Sequence, residues 1–253
     1  MTDRWRVAAN LATLANATLG VGAILYVLGG NKLWAMLLIA CAIGFDGWDG
    51  ILSRRSPSPP SRFGRVADSV ADAVSFGLAP AFLIAVHTGD TSTWQPWELL
   101  TVTLAGAYFA AAVARLTYFT AHAYRRSDFL GVPTPQSALA LIVALLFHDT
   151  PAFQSVQPIG ILVGVAVLSV MMVVPVPYPK IRRGNPLRWP MAATAVAAAL
   201  ALVPLQFHLA TGSSGYEFAY GASVVFLVGV ASYYLLGPFT VRRDPPGSKS
   251  ATA

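Results

Sequence analysis

The chain has 253 residues, of which 55% are hydrophobic and only 11% are charged. Soluble domains carry roughly 25% charged residues. This composition therefore excludes an ordinary soluble protein and predicts a membrane protein.

Eight apolar stretches approach the ~20 residues that a helix needs to cross a bilayer. Helices are expected because open strands cannot satisfy their backbone hydrogen bonds in lipid. The sequence thus predicts an all-α polytopic membrane protein of about eight transmembrane helices, with its single cysteine, Cys41, in the core. One membrane domain is expected at residues 1–240, followed by a disordered cytoplasmic tail at 241–253, which is rich in Pro and Ser. The predicted spans are 8–29, 33–54, 66–87, 97–123, 133–149, 156–177, 187–207 and 215–237.

Basic residues are distributed unevenly between the two sides of this topology. With the N-terminus inside, 15 of the 17 lysines and arginines fall on the inner side, leaving Lys32 in an outer loop and Arg115 within a span. This asymmetry is the positive-inside signature. It predicts an integral protein of the cell membrane with both termini in the cytoplasm. It also attributes the net charge of +6 to topology and to attraction by anionic membrane lipids, so no nucleic-acid partner is expected.

Four aspartates lie inside or at the edge of the second and third spans: Asp46, Asp49, Asp68 and Asp72. A carboxylate at membrane depth costs several kcal/mol unless a positive charge compensates it. The members of each pair are three or four residues apart, so each pair shares one helix face. At ~1.5 Å per residue, Asp46 matches Asp72 in depth and Asp49 matches Asp68. The sequence therefore predicts a box of four carboxylates just below the cytoplasmic surface.

Carboxylate oxygens in such a box suit two Mg²⁺ or Mn²⁺ ions, and the absence of a neighbouring Cys or His in the sequence argues against zinc. Two divalent ions form a clamp for displacement at phosphorus. The alternative is a set of structural acids paired with nearby arginines. Arg54 has two possible roles as well: it binds a phosphate in a bidentate manner, or it anchors its helix at the interface.

The spacing of these residues resembles the signature of the CDP-alcohol phosphatidyltransferase family, D-x2-D-G-x2-A-R followed by G-x3-D-x3-D. Ser53 stands here in place of the usual alanine. Four other stretches, at 10–16, 72–80, 129–135 and 172–180, resemble the branch of the family that uses serine. The signature reads Asp46-x2-Asp49-Gly50-x2-Ser53-Arg54, then Gly64-x3-Asp68-x3-Asp72.

This resemblance implies an enzyme that transfers the phosphatidyl group of a CDP-linked lipid, either CDP-diacylglycerol or CDP-archaeol, to the hydroxyl of L-serine and releases CMP. It implies that the four aspartates hold two divalent ions and that Asp72 is also the general base. It implies a homodimer with a six-helix catalytic core. The last two predicted spans are poor in charge and rich in Ala, Val and Leu, and they are expected to serve as scaffold. The implied contacts of the CDP-linked lipid are Gly50, Arg54, Ser61, Asn10 and Thr13.

Two further polar residues are candidates for contact with the acceptor. Arg115 is expected about 13 Å deep, level with Asp46 and Asp72. It receives the carboxylate of a serine acceptor, or it neutralises the aspartates. Ser75, one turn after Asp72, contacts the acceptor or bonds to helix backbone, which is the commoner role of an intramembrane serine.

Three alternative functions follow from the same residues. Within the family, glycerol 3-phosphate or an inositol phosphate replaces serine as the acceptor. An intramembrane prenyltransferase would carry two Asp-rich motifs far apart, whereas only 18 residues separate Asp49 from Asp68. An ion-coupled transporter would show inverted repeats and a site at the bilayer midplane, and neither is evident in the sequence.

Overall fold

The computed structural model describes residues 3–57, 61–88, 96–122, 129–148 and 159–178. Within these ranges the chain forms seven α-helices, one π-helical segment and one pair of very short strands. In chain order these are α1 (Arg4–Leu28), α2 (Lys32–Arg55), α3 (Arg62–Asp72), the π-helical segment Ala73–Leu78, α4 (Ala79–Thr88), α5 (Pro96–His122), β1 (Phe129–Leu130), α6 (Thr134–His148), α7 (Ile159–Val173) and β2 (Pro177–Tyr178).

Four helical stretches in the described part of the chain are long and apolar enough to cross a membrane. They correspond to the first four predicted spans. Helices α6 and α7 occupy the fifth and sixth predicted spans, but each has only 15 residues, and the last two predicted spans lie outside the described residues. The protein is therefore a helical integral membrane protein. The four long stretches are Arg4–Leu28, Lys32–Arg55, Arg62–His87 and Pro96–Tyr118.

Helix α1 turns small side chains inward and large leucines outward. On α1, Leu14 and Leu25 are 62% and 63% exposed, whereas Gly20 and Ala23 are buried. Small residues let helix backbones approach closely in a membrane, where the lipid is as apolar as leucine itself. The prediction of a core position for Cys41 is wrong, because this residue is exposed and lies off the buried stripe of α2. That stripe consists of Ala35, Met36, Ile39 and Ala42.

The bundle has two distinct ends. The aspartate end is the one where α2 ends and α3 begins, and the far end is the opposite one. The rings of His87 and His148 meet edge to face, with centroids 5.7 Å apart, so α4 and α6 finish together at the far end. Between the ends, all the helices except α3, together with the π-helical segment, contribute to an apolar core whose largest members include Phe76, Tyr108, Leu141 and Ile142.

The third span is not a uniform α-helix, because a π-helical segment follows Asp72 directly. The Ala79 N–H donates to the Val74 carbonyl, five residues earlier. Pro80 has no N–H to give to the carbonyl four residues before it, that of Phe76. The Tyr108 hydroxyl of α5 donates to this carbonyl at 3.2 Å, so a neighbouring helix supports the irregular turn.

A short clamp joins the loop before α6 to the end of α7. Strands β1 and β2 are antiparallel, and the Gly131 N–H donates to the Val176 carbonyl at 2.9 Å. Gly131 has a φ of 71°, a left-handed conformation that favours glycine, and a Cβ at this position would collide with the Met172 carbonyl. The clamp therefore fixes where the chain enters α6.

Candidate active site

The predicted aspartates meet at the aspartate end of the bundle. Asp46, Asp68 and Asp72 each present a carboxylate oxygen, and these oxygens lie within 4.8 Å of one another. The Asp49 carboxyl is within hydrogen-bonding reach of Asp68 and accepts a hydrogen bond from the Thr13 hydroxyl. Three carboxylates thus form one cluster, and the fourth lies directly beside it.

Helix α1 holds the two aspartate-bearing helices in place. It packs against both α2 and α3, whereas α2 and α3 make little direct contact with each other. The predicted box of carboxylates requires α2 and α3 to be antiparallel neighbours. Their aspartates approach each other across a cavity between the helices.

The cavity at the aspartate end has a volume of about 640 Å³. All four aspartates line it. So do four of the residues predicted to contact the lipid donor: Asn10 and Thr13 on α1, and Gly50 and Arg54 on α2. It also takes in the start of α6, which the Gly131 clamp positions. Its principal polar walls are Arg6, Asn10, Thr13, Gly50, Arg54, Arg65, Ser69, Arg115, Thr134 and Gln136.

Asp72 accepts a hydrogen bond from Asn16, which was not among the predicted site residues. The Asn16 amide nitrogen donates to Asp72 Oδ1 at 3.0 Å, and both side chains are buried. One oxygen of this carboxylate is therefore fixed by α1. Asn10, Thr13 and Asn16 recur every three residues, and this polar stripe within an apolar helix was the available signal in the sequence.

Two predicted site residues have structural hydrogen bonds. The Ser75 hydroxyl donates to the Asn16 backbone carbonyl at 2.8 Å, and Gly20 makes room for it, since a Cβ there would collide with Ser75. Ser61 caps α3 by accepting a hydrogen bond from the Gly64 N–H at 3.0 Å. Neither serine is among the described residues that line the cavity, so the prediction that Ser75 contacts the acceptor finds no support in this placement.

Arginines surround the mouth of the cavity. A Cβ added to Gly50 would lie 3.4 Å from Arg54 Nη1, so the guanidinium folds back over this glycine. Arg6 was not predicted as a site residue; it lines the cavity and donates from Nη2 to Ser56 Oγ at 3.1 Å. The Ser56 hydroxyl in turn donates to Asp3, and this hydrogen bond holds the pKa of Asp3 below its ordinary value.

Arg115 lies deeper, on the α5 wall of the cavity. It is 8% exposed, and its Nη1 lies 3.4 Å from the hydroxyl oxygen of Thr134, to which it donates. Its positive charge acts on both Asp46 and Asp72. Arg115 therefore lines the same cavity as the four aspartates, and both of its predicted roles stay predictions.

The residues of this cavity fit a divalent cation. The clustered donors are all carboxylate oxygens, the ligands that Mg²⁺ and Mn²⁺ prefer. None of the described residues that line the cavity is Cys or His, which disfavours zinc. Three carboxylates at this separation also repel one another unless cations lie among them.

A carboxylate cluster bordered by arginines within a helical membrane protein is the type of site expected of a membrane-embedded phosphotransferase. The sequence profile of the family described as CDP-alcohol phosphatidyltransferase matches residues 6–175, more than half of the chain. The chain therefore belongs to the CDP-alcohol phosphatidyltransferase family, a family of transferases in phospholipid biosynthesis.

Curated relatives support the same family assignment. The chain is 27% identical to archaetidylserine synthase of Methanothermobacter thermautotrophicus over 173 residues, which cover 68% of this chain and 69% of the relative. It is 26% identical to CDP-diacylglycerol–serine O-phosphatidyltransferase of Helicobacter pylori over 178 residues, 69% and 72% of the two chains. It is 35% identical to the protein of that name in Mycobacterium tuberculosis over 137 residues, 51% and 46% of the two chains.

Proposed function

We propose that this protein transfers the phosphatidyl group of a CDP-linked lipid, or its archaeal ether-lipid counterpart, to the hydroxyl of L-serine and releases CMP. The observation that carries the proposal is the cluster of Asp46, Asp68 and Asp72 in one cavity with Arg115. Family membership supplies the class of reaction. The names of the three relatives all contain serine but differ in the lipid. They therefore favour serine as the acceptor and do not decide between the two donors.

The donor's diphosphate is proposed to lie at the mouth of the cavity. Arg54 presents a guanidinium that suits bidentate contact with phosphate, and it lies over Gly50, which has no side chain to displace it. Asn10 and Thr13 line the α1 side of the same space. Ser61, which the resemblance also implies as a donor contact, caps α3 at the rim, and we assign it that structural role.

The four aspartates are proposed to hold two divalent ions, Mg²⁺ or Mn²⁺. Such ions, when bound, would neutralise the charge of the diphosphate and make its phosphorus more electrophilic. Asn16 donates to Asp72 Oδ1, so Asp72 Oδ2 is the oxygen proposed to accept the proton of the acceptor hydroxyl. The hydroxyl oxygen attacks the phosphorus that carries the lipid, the bond from this phosphorus to the CMP oxygen breaks, and CMP leaves.

The acceptor is proposed to bind on the Arg115 side of the cavity. The guanidinium of Arg115 would receive the carboxylate of serine in a bidentate pair, which orients the serine hydroxyl towards the aspartates. The competing role, neutralisation of Asp46 and Asp72, requires only a positive charge. These two roles predict different results for replacement of Arg115 by lysine, which keeps the charge but not the bidentate geometry.

The active site is proposed to face the cytoplasm. Arg6, Arg54 and Arg65 line the cavity at the aspartate end, and the guanidinium groups of Arg4 and Arg55 lie 5.3 and 5.5 Å from the ring of Trp5. Basic residues concentrate on the cytoplasmic side of membrane proteins. We further propose both termini in the cytoplasm, a membrane domain of eight spans with a six-helix catalytic core at 1–240, a disordered tail at 241–253, and a homodimer.

The test is CMP release by the purified protein. CDP-diacylglycerol or CDP-archaeol is supplied with Mg²⁺ or Mn²⁺ and, in separate reactions, L-serine, glycerol 3-phosphate or an inositol phosphate. We expect CMP with serine, loss of activity after chelation of the metal, and recovery when the metal is restored. CMP with another acceptor alone would keep the family chemistry and discard serine. No CMP with any acceptor would reject the proposal.

A further inference from the structure

A second cavity lies between α5 and the continuous helix that α3 forms with the π-helical segment. This side groove has a volume of about 580 Å³. Val70 and Val74 form one apolar wall, and Phe109 and Val113 form the other. Val66 and Val70 are 48% and 57% exposed, so in a membrane the groove opens sideways towards the lipid.

The side groove adjoins the aspartate cavity. The two spaces share a wall, which is formed by Arg65, Ser69 and Leu116. Arg62 and Arg65 lie at the aspartate end of the groove, where a phosphate of a bound lipid would meet positive charge. The groove is thus polar and basic at the end next to the catalytic residues and apolar along the remainder.

The side groove is long enough for a hydrocarbon chain of one leaflet. From Arg62 to Leu78 the helix advances ~24 Å at ~1.5 Å per residue, more than half of the ~30 Å hydrocarbon core of a bilayer. The groove ends where α5 closes on the π-helical segment. There a Cβ added to Gly77 would lie 3.2 Å from the Phe109 ring and 3.3 Å from Ala112.

We propose that the side groove holds one hydrocarbon chain of the CDP-linked lipid while its diphosphate lies in the aspartate cavity. This assignment rests on the proposed function, because it names where the lipid part of the same substrate binds. A chain in the groove would fix the position of the scissile phosphorus, and the lateral opening would admit the lipid directly from the bilayer. Arg65 and Ser69 line both the groove and the aspartate cavity, so the head group of a lipid in the groove would lie next to the catalytic residues. This position favours the substrate over an unrelated membrane lipid as the occupant.

Filling the groove should discriminate between donors by chain length. Val113→Trp and Val70→Trp enter the groove from opposite walls. Val102→Trp on α5 and Val163→Trp on α7 are matched controls, because both residues are exposed and neither lines the groove. CMP release is measured with CDP-dipalmitoylglycerol or CDP-archaeol as the long-chain donor and CDP-dihexanoylglycerol as the short-chain donor.

We expect the groove variants to lower kcat/KM for the long-chain donor about tenfold relative to the short-chain donor, the effect of removing roughly two methylene groups from burial. The controls should leave that ratio unchanged. Activity with the short-chain donor shows that a variant is folded. An unchanged ratio in both groove variants would overturn the proposal. The proposal would also be overturned if the groove variants lost a dimer while the ratio stayed unchanged. The groove would then be an interface between two copies of the chain.

A measurement independent of turnover separates this proposal from the proposed function. A CDP-linked lipid with a diazirine at the end of one chain is photolysed on the wild-type protein. We expect label on Leu78, Phe109 or their immediate neighbours. Label confined to α1, α2 and α7 would overturn the groove assignment even if serine-dependent activity is present. Label in the groove without serine-dependent CMP release would reject only the serine transfer.

Discussion

The two ends of the bundle use the same helices for opposite purposes. Towards the far end, α1 and α2 meet through buried residues such as Ala23, Ala35 and Met36. Towards the aspartate end, the same two helices carry Asn10 and Asp46 along a cavity of about 640 Å³. One half is packed like any membrane bundle, and the other is held open around groups that membranes normally exclude.

This difference shows how the bundle tolerates its own site. Carboxylates in one cavity repel one another, so the helices that carry them would separate if nothing else held them together. The close packing of α1 with α2 away from the site provides that restraint, and α1 also contacts α3. We therefore expect substitutions near the aspartates to change catalysis with little effect on stability, and substitutions in the packed half to do the reverse.

The largest effect is expected for Asp72→Asn. The amide keeps an oxygen that can accept the hydrogen bond from Asn16, but it cannot take a proton from the acceptor and is a poorer metal ligand. Loss of a general base typically costs 10²–10⁴-fold, so we expect kcat to fall about 10³-fold while binding of the CDP-linked lipid is largely kept. CMP release and equilibrium binding of the donor measure the two quantities.

A matched control for that variant is Glu98→Gln. Glu98 is another buried carboxylic acid, 7% exposed, but it lies on the first turn of α5 and does not line the cavity. We expect it to keep kcat within about twofold, as for changes remote from reacting groups. Full activity of Asp72→Asn would refute the assignment of Asp72 as base.

Arg115→Lys is expected to have the next largest effect and decides between two roles. Lysine keeps the charge but cannot form a bidentate pair with a carboxylate. If Arg115 binds the serine carboxylate, KM for serine should rise about 10- to 100-fold, as for loss of a charge-assisted hydrogen bond worth roughly 1.5–3 kcal/mol. If it only neutralises the aspartates, KM should change little. Initial rates over a range of serine concentrations measure this difference, and Arg115→Gln, which removes the charge, is the comparison.

Asn16→Leu tests the hydrogen bond that positions Asp72. Leucine has a similar volume and lacks the amide, so Asp72 Oδ1 loses a donor at a buried position. Net hydrogen bonds to charged groups are worth roughly 1.5–3 kcal/mol, and we expect kcat to fall about tenfold with KM for serine unchanged. Thr18→Val is the control on the same helix, because Thr18 bonds to Leu14 on the exposed face. A parallel rise in KM would argue for a direct acceptor contact instead.

The spans and the aspartate pairs were predictable because each depends on a local period. A hydrophobic stretch of membrane length gave the first four helices, and the spacing of Asp46 with Asp49 and of Asp68 with Asp72 put each pair on one face. These properties are fixed within one helix, so no knowledge of tertiary packing was needed. The match in depth between Asp46 and Asp72 and between Asp49 and Asp68 needed one assumption more, that the two spans run antiparallel.

The remaining features depend on contacts between distant segments. The π-helical segment is supported by Tyr108 on another helix, and Asn16 acquires its role only because α1 lies beside Asp72. Position 131 has no room for a Cβ because the Met172 carbonyl, at the end of α7, lies against it. None of these partners is within a few residues of the group it supports, so sequence periodicity does not reveal them.

The smallest effect is expected in the packed half, from Ile39→Val. Ile39 is fully buried on α2, and removal of one methylene from such a position costs about 0.5–1.5 kcal/mol of unfolding free energy. Because Ile39 lies about two turns from Asp46 and outside the cavity, kcat and KM should stay as in the wild type. Thermal unfolding in detergent, followed by assay of the folded fraction, measures both quantities. If Ile39→Val lowered kcat more than stability, the two halves would be coupled, and the packed end would be part of the catalytic apparatus rather than its restraint.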